Sequence, residues 1–271
     1  MLEQDFYTES FFESIEQTVS DSAQIIVPLI MGLLQPNTVI DVGCGLGTWL
    51  SVFKEYGVKD ILGIDGDYID RENLQIPQEN FLSVDLKKPL TLESKWDLVV
   101  SLEVAEHLPN SAAKTFVNSL TKLGKVILFS AAIPFQGGQH HINEQWQDYW
   151  VKHFQNIGYL PVDCIRRKVW QNPNVAYWYA QNILIFAEQE YLENHQLLKQ
   201  ELANIGTSQL AIVHPKKYLQ VVDKYQEALK AAEWYAYTAE PKNMSLRKVL
   251  SALPIITTNG FRRTIENFLQ K

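Results

Sequence analysis

The sequence is short of cysteine, of clustered positive charge and of long apolar runs, and each shortage closes off a class of protein. Only two cysteines occur, Cys44 and Cys164, far apart in the chain. No disulfide framework and no paired-cysteine zinc pattern can be built from them, so a cytoplasmic address is the default expectation. Lys and Arg number 24 against 31 Asp and Glu, a net charge of −7. The basic residues form no run of the kind that phosphate backbones require, and no nucleic-acid partner is expected. No apolar run reaches the roughly 20 residues of a membrane helix, so no span is expected either. The opening stretch, MLEQDFYTES, is polar and acidic, unlike a secretory signal. Internal repeats and low-complexity tracts are also missing.

What remains is an ordinary globular composition, 46% apolar and 20% charged over 271 residues. That length suits one full α/β domain with an appendage. Residues 10 to 34 carry apolar positions at helical spacing, with Pro28 a point at which the helix would divide. Short apolar runs then alternate with helical stretches. PNTVIDVG, DILGIDGD, ENFLSVDL, WDLVVSLE and KVILFSAAI read as strands; GTWLSVFKEYG, SAAKTFVNSLTKLG and EQWQDYWVKHFQNIGY read as helices. PVDCIRRKVW and AYWYAQNILIFAEQ read as two closing antiparallel strands, with the basic triplet 166 to 168 on a solvated strand edge. The alternation predicts a doubly wound, mostly parallel sheet. The expected organisation is an N-terminal helical cap over residues 1 to 35, a core domain over 36 to 188 and a helical C-terminal extension over 189 to 271. In that extension YLQVVDKYQEALKAAEWYAYTAE is a long helix and SLRKVLSAL a second helical piece. A homo-oligomer through these C-terminal helices is one partnership the sequence allows.

Two features carry chemistry. The first is VIDVGCGLGTWL, which follows a strand and opens a helix. Gly43, Gly45 and Gly47 let the backbone approach a ligand closely. Asp65 ends the second strand about 20 residues on, where an acid binds ribose hydroxyls. Asp85 ends the third strand, in reach of an adenine amino group. With Asp41, these acids would repel a pyrophosphate and suit a cationic cofactor without phosphates. VIDVGCGLGTW, LGIDGD, SVDL and WDLVVSLEVAEHLP, in this order, resemble the class I S-adenosylmethionine-dependent methyltransferases over roughly residues 36 to 188. The resemblance implies a Rossmann-like seven-stranded sheet with one antiparallel strand. It implies that Gly43, Cys44 and Gly45 meet the methionine part of S-adenosyl-L-methionine, that Asp65 holds the ribose and that Asp85 with Leu86 frames the adenine. Asp41 and Glu103 complete the expected cofactor contacts. DFY, near the start, resembles an N-terminal lid of this family, which brings Tyr7 to the methionyl end.

The second feature is SLEVAEHLPN, residues 101 to 110. It sets Glu103, Glu106 and His107 at the end of the fourth strand, which in this fold faces the sulfonium. Three readings stand side by side. The acids simply start a helix. His107, or a neighbour such as His141, acts as a base on the acceptor hydroxyl with Glu103 beside it. Or Glu103, Glu106 and His107 join His140, or its neighbour His141, around a divalent ion such as Mg²⁺ or Mn²⁺. The third arrangement is similar to that of the small-RNA 2′-O-methyltransferases and of the ubiquinone-pathway catechol O-methyltransferases. Trp146, Tyr149, Trp150, Trp170, Tyr177, Trp178 and Tyr179 supply aromatic surface either for an acceptor pocket or for packing. Together these features predict an enzyme that transfers a methyl group to a small-molecule acceptor, most simply a sugar or secondary-metabolite hydroxyl. N-methylation and a non-catalytic cofactor-binding protein acting through its helical tail are the alternatives.

Overall fold

The structure is a computed structural model. It describes residues 9–204, 209–240, 243–247 and 250. Helix α1 (Glu9–Leu34) leads into β1 (Thr38–Val42), α2 (Thr48–Glu55), β2 (Asp60–Asp65) and β3 (Phe81–Ser83). β4 (Leu98–Leu102), α3 (Ala113–Leu123), β5 (Val126–Ser130) and α4 (Gln147–Gln155) follow. β6 (Tyr159–Val162), α5 (Arg166–Val169), α6 (Tyr177–Asn182) and β7 (Leu184–Glu188) complete the sheet. The chain continues through α7 (Gln189–Asn194), α8 (Gln196–Asn204) and α9 (Pro215–Ala239).

The seven strands lie in the order β3-β2-β1-β4-β5-β7-β6. β7 runs antiparallel to both of its neighbours, and the other pairings are parallel. This is the expected Rossmann-like sheet, with order reversing between β1 and β4. The strands are buried on both faces, so their side chains alternate between two cores. Val39, Leu98, Val100 and Leu128 meet Ala23, Ile26, Val27 and Ile30 of α1 and Leu50 and Phe53 of α2. Ile40, Val99, Ile127 and Phe129 meet Phe116 and Leu120 of α3 and Trp150 and Phe154 of α4.

Several expectations need correction. Pro28 lies inside α1 and does not divide it. A proline inside a helix costs about 3 kcal/mol, and burial of Ala23, Ile26, Val27 and Ile30 on one face offsets more than that at about 1.5–3 kcal/mol per large apolar side chain. Glu16–Leu34 of this helix is also long and apolar enough, by length and composition, to cross a membrane. Polar residues interrupt this stretch, Glu16 and Asp21 among them, and its apolar face serves the core. The two closing strands are shorter than expected. PVDCIRRKVW leaves the sheet after Val162 and turns into α5, and AYWYAQN forms α6 before β7 begins. Aromatic residues favour strands, but here tertiary contacts decide. Tyr179 stands edge-on to Trp49 at 5.1 Å, and the Ala176 N–H donates to the Ser22 hydroxyl at 3.0 Å.

The chain divides into two compact units, residues 1–217 and 218–271. The expected boundary at 188/189 therefore falls inside the first unit. The segment that follows α8 explains why. Leu210 O accepts from Arg166 Nη1 at 2.8 Å, the His214 N–H donates to Gln181 Oε1 at 2.8 Å, and Lys217 Nζ donates to Gln136 O at 2.7 Å. In the second unit α9 runs on from Tyr218 with mostly exposed side chains, and of SLRKVLSAL only residues 246, 247 and 250 are described as helical. Tyr7 lies outside the described residues.

Candidate active site at the carboxyl edge of the sheet

The carboxyl ends of β1 and β2 gather the expected cofactor residues. Gly43 turns the chain out of β1 at φ 90°, and a Cβ there would stand 2.3 Å from Val104 Cγ2, so only glycine fits beneath the β4 loop. The loop is pinned to β2, because the Gly43 and Cys44 N–H groups both donate to Ile64 O, at 2.7 and 3.1 Å. Asp65 is buried and accepts from the Gly45 N–H at 2.8 Å, the Gly66 N–H at 2.7 Å and the Tyr68 hydroxyl at 2.5 Å. Asp41 is buried beside it. Burial first, and then the charge of Asp65, hold its carboxyl well above the usual range.

Asp85 is placed differently from its expectation. β3 stops at Ser83, so Asp85 lies in the turn beyond it, exposed and paired at 3.4 Å with Lys88. The Lys87 N–H, which donates to it at 3.0 Å, is the main cause that lowers its pKa. Leu86, next in the chain, is buried among Ile40, Ile64 and Val104.

At the end of β4 the three ionisable residues are held in different ways. Glu103 takes a left-handed φ of 55°. Its N–H donates to Ser130 O and Oγ, at 3.0 and 3.1 Å. Its carboxylate is held by amides: Gln136 Nε2 donates at 2.7 Å and Asn182 Nδ2 at 3.1 and 3.3 Å. Gln181 braces this pair, with Nε2 donating to Gln136 Oε1 at 3.2 Å and to Asn182 Oδ1 at 2.9 Å. Burial raises the Glu103 pKa, and these hydrogen bonds oppose the rise. Both Glu103 oxygens thus face amide donors, and Glu103 is not among the ligand atoms that lie within 4.8 Å of one another.

Glu106 is the opposite case. It is fully buried, and neither carboxylate oxygen has a hydrogen-bond partner among the described residues. Burial, and then the charge of Glu103, push its pKa well up. Its ligand oxygen lies within 4.8 Å of ring nitrogens of both His107 and His141, which are likewise within that distance of each other. The two imidazoles meet edge to face at 4.9 Å. The loop after β5 is latched here, since the Ile142 and Asn143 N–H groups donate to Glu106 O at 2.9 and 3.0 Å. His141 Nδ1 lies 3.0 Å from Glu144 Oε1, which also accepts from the Gly137 N–H at 2.6 Å. A carboxylate on one ring nitrogen orients a histidine and leaves the other nitrogen for a ligand. Burial, followed by His141, lowers the His107 pKa and keeps its ring neutral, with a hydrogen bond to the His140 backbone acting the other way.

Of the residues expected around an ion, Glu103, Glu106, His107 and one of His140 or His141, the structure brings together Glu106, His107 and His141. His140 adopts a left-handed φ of 59° and its side chain is exposed. Its neighbour takes the place in the cluster.

The aromatic residues also divide. Trp150 is buried against Phe129, and Trp49 against Tyr179, so these are packing. Tyr177 is half-buried against Trp178 and His214, with ring centroids 5.2 and 6.2 Å away, and burial, then Glu103 and Glu144, raise its phenol pKa. A cleft of about 900 Å³ lies at the α5–α6 corner, lined by Arg166, Arg167, Trp170, Pro173 and Ile212. It includes none of the acids or histidines above. Gln136, Glu144, Gln181 and Asn182 are the site residues that sequence reasoning missed. Of these only Glu144 carried a signal, three residues after His141.

Residues 19–171, more than half of the chain, match the family described as Methyltransferase domain, and the chain belongs to that family. It is thereby a class I S-adenosylmethionine-dependent methyltransferase by family and fold, as the sequence resemblance implied. A mitochondrial ubiquinone biosynthesis O-methyltransferase from Dictyostelium discoideum is 31% identical over 108 residues, 34% of this chain and 33% of that one. The chain therefore matches about a third of the length of that relative. Magnesium protoporphyrin IX methyltransferase from Synechocystis, with S-adenosylhomocysteine bound, is similar at 20% identity, covering 68% of this chain and 90% of that one with a TM-score of 0.48. The methyltransferase domain of bacterial CtHen1-C is similar at 19% identity, covering 63% and 98%, with a TM-score of 0.47.

Proposed function

We propose that the chain transfers a methyl group from S-adenosyl-L-methionine to a hydroxyl of a small-molecule acceptor, with a divalent cation held by Glu106, His107 and His141. The observation that carries the cation is Glu106. A fully buried carboxyl without a hydrogen-bond partner among the described residues either stays protonated, as burial favours, or needs something positive against its charged form. Two imidazoles within ligand distance provide a donor set of two nitrogens and one carboxylate oxygen, which suits Mn²⁺, Fe²⁺ or Zn²⁺ better than Mg²⁺. Such an ion would lower the pKa of an acceptor hydroxyl bound to it and fix its direction.

The remaining roles fall to the chain's own groups. Asp65 receives the ribose diol, Asp41 and the Gly43–Gly45 loop face the methionyl portion, and Leu86 offers an apolar edge to the adenine. Glu103, clamped by Gln136 and Asn182, is a fixed acceptor of hydrogen bonds at the mouth of β4, where the substrate enters. Tyr177 contributes aromatic surface on the acceptor side. Support for an oxygen acceptor comes from the ubiquinone-pathway relative, whose name specifies O-methylation. A sugar or secondary-metabolite hydroxyl and a cytoplasmic address complete the proposal. Self-association through the C-terminal helices belongs to it as well, because Tyr218, Tyr225, Leu229 and Trp234 are exposed on α9. Sedimentation that stays monomeric at high concentration would remove that part.

The second reading keeps His107 as a simple base, since its neutral ring suits that role too. Metal titration separates the two. After chelation, Mn²⁺ is expected to raise the melting temperature of the wild type, by an amount equivalent to about 2.7 kcal/mol at a hundred times Kd. It should not do so for His141→Ala. Chelation is also expected to stop turnover. A melting temperature indifferent to Mn²⁺, with turnover indifferent to chelation, would leave the base reading. No turnover under any metal condition, with intact cofactor binding, would favour a non-catalytic cofactor-binding protein.

A further inference from the structure

Asp65 has about four lone-pair sites, and three of them are used. Oδ2 accepts from the Gly45 N–H, while Oδ1 accepts from the Gly66 N–H and from the Tyr68 hydroxyl, at 2.8, 2.7 and 2.5 Å. A ribose diol that binds a carboxylate through both hydroxyls needs two sites. Only one is left, on Oδ2. The two N–H donors belong to the backbone that builds the loop and cannot be withdrawn without unfolding it. The Tyr68 hydroxyl is different. It is carried on a side chain that is 78% exposed, so the ring can swing into solvent at little packing cost. Its inward position depends on a missing side chain, because a Cβ on Gly66 would stand 2.2 Å from Tyr68 Cε1.

We propose that Tyr68 sets cofactor affinity by holding Asp65 Oδ1 in the cofactor-free protein, and that the ribose must displace its hydroxyl to bind. Withdrawal of that one hydroxyl frees one site on each carboxylate oxygen, the number that a vicinal diol requires. The phenol is thus an internal competitor for the nucleoside. It also gives the buried Oδ1 a second donor beside the Gly66 N–H. The inference rests on the reading of Asp65 as the ribose acceptor.

Tyr68→Phe removes the hydroxyl and leaves the ring. Calorimetry with S-adenosylhomocysteine is expected to show about three- to tenfold tighter binding to the variant, the effect of one partly solvated hydrogen bond no longer lost on binding. The gain should appear with adenosine and disappear with 2′,3′-dideoxyadenosine, which has no diol to compete. Unchanged or weaker binding of S-adenosylhomocysteine by Tyr68→Phe would overturn the inference, as would an equal gain with both nucleosides. Asp65→Ala, measured in parallel, separates the two levels. If Asp65→Ala weakens binding while Tyr68→Phe does nothing, the inference fails and the ribose reading stands. If Asp65→Ala leaves affinity unchanged, the ribose reading fails first.

Discussion

Glu106 and Glu103 are three residues apart, both are withdrawn from solvent, and only one of them is hydrogen-bonded through its carboxylate. The difference has a consequence for stability. Burial raises the Glu106 pKa above its unfolded value, so in this range the folded state binds more protons than the unfolded state. Stability then falls as pH rises from the unfolded carboxylate pKa of about 4.3 toward the folded one, with a slope of up to about 1.4 kcal/mol per pH unit. In metal-free buffer Glu106→Gln is expected to flatten that slope and to raise the melting temperature at neutral pH. Thermal melts from pH 5 to pH 8 measure both; a variant that melts lower than wild type across that range would show that the carboxylate has a partner after all. Glu103 and Glu106 were legible in the sequence because ionisable residues stand out after an apolar strand. Gln136 and Asn182 were not. Neutral amides form no pattern, and they reach Glu103 across 33 and 79 positions of sequence. The choice between His140 and His141 stayed open in the sequence for another reason, since adjacent histidines differ only in backbone conformation.

The elements on the sheet's β6 side show what periodicity leaves out. Arg166 opens α5 and is 1% exposed, although a basic triplet reads as a solvated edge. Its guanidinium spends every nitrogen: Nε and Nη2 donate to the two Asp163 oxygens at 2.9 and 2.5 Å, and Nη1 donates to Gln181 O and Leu210 O at 3.1 and 2.8 Å. This one side chain joins β6, α6 and the segment before α9, and Gln181 passes the contact on toward Glu103. Breaking a buried ion pair by removing one partner costs about 3–5 kcal/mol. Arg166→Ala is therefore expected to lower the denaturant midpoint by that equivalent. A loss under about 1 kcal/mol, as for an exposed pair, would contradict the network. The parallel elements β1, α2, β2, β4, α3 and β5 were legible because each carries one period, of strand or helix, between turn signals. α5 and α6 were not, because four- and six-residue helices are too short to show a period and are held by contacts from distant segments.

At the scale of the molecule, the strand order brings four separate loops to one edge. The glycine loop after β1, Asp65 at the end of β2, the acids after β4 and the histidine loop after β5 all meet where the order reverses between β1 and β4. That convergence was legible, because parallel crossovers leave every strand's carboxyl end on the same side. The extent of the first unit was not. It runs to residue 217 through polar contacts of His214 and Lys217 that no composition shift announces. The central claim is that this edge binds S-adenosyl-L-methionine through Asp65. The direct measurement is calorimetric titration of S-adenosylhomocysteine into the wild-type protein and Asp65→Ala, with folding of each checked by thermal melt. The account predicts binding by the wild type and a loss of about 1.5–3 kcal/mol in the variant, the range for hydrogen bonds to a charged group. Equal affinity in the two proteins, or tight NAD binding by a wild type that ignores S-adenosylhomocysteine, would contradict it.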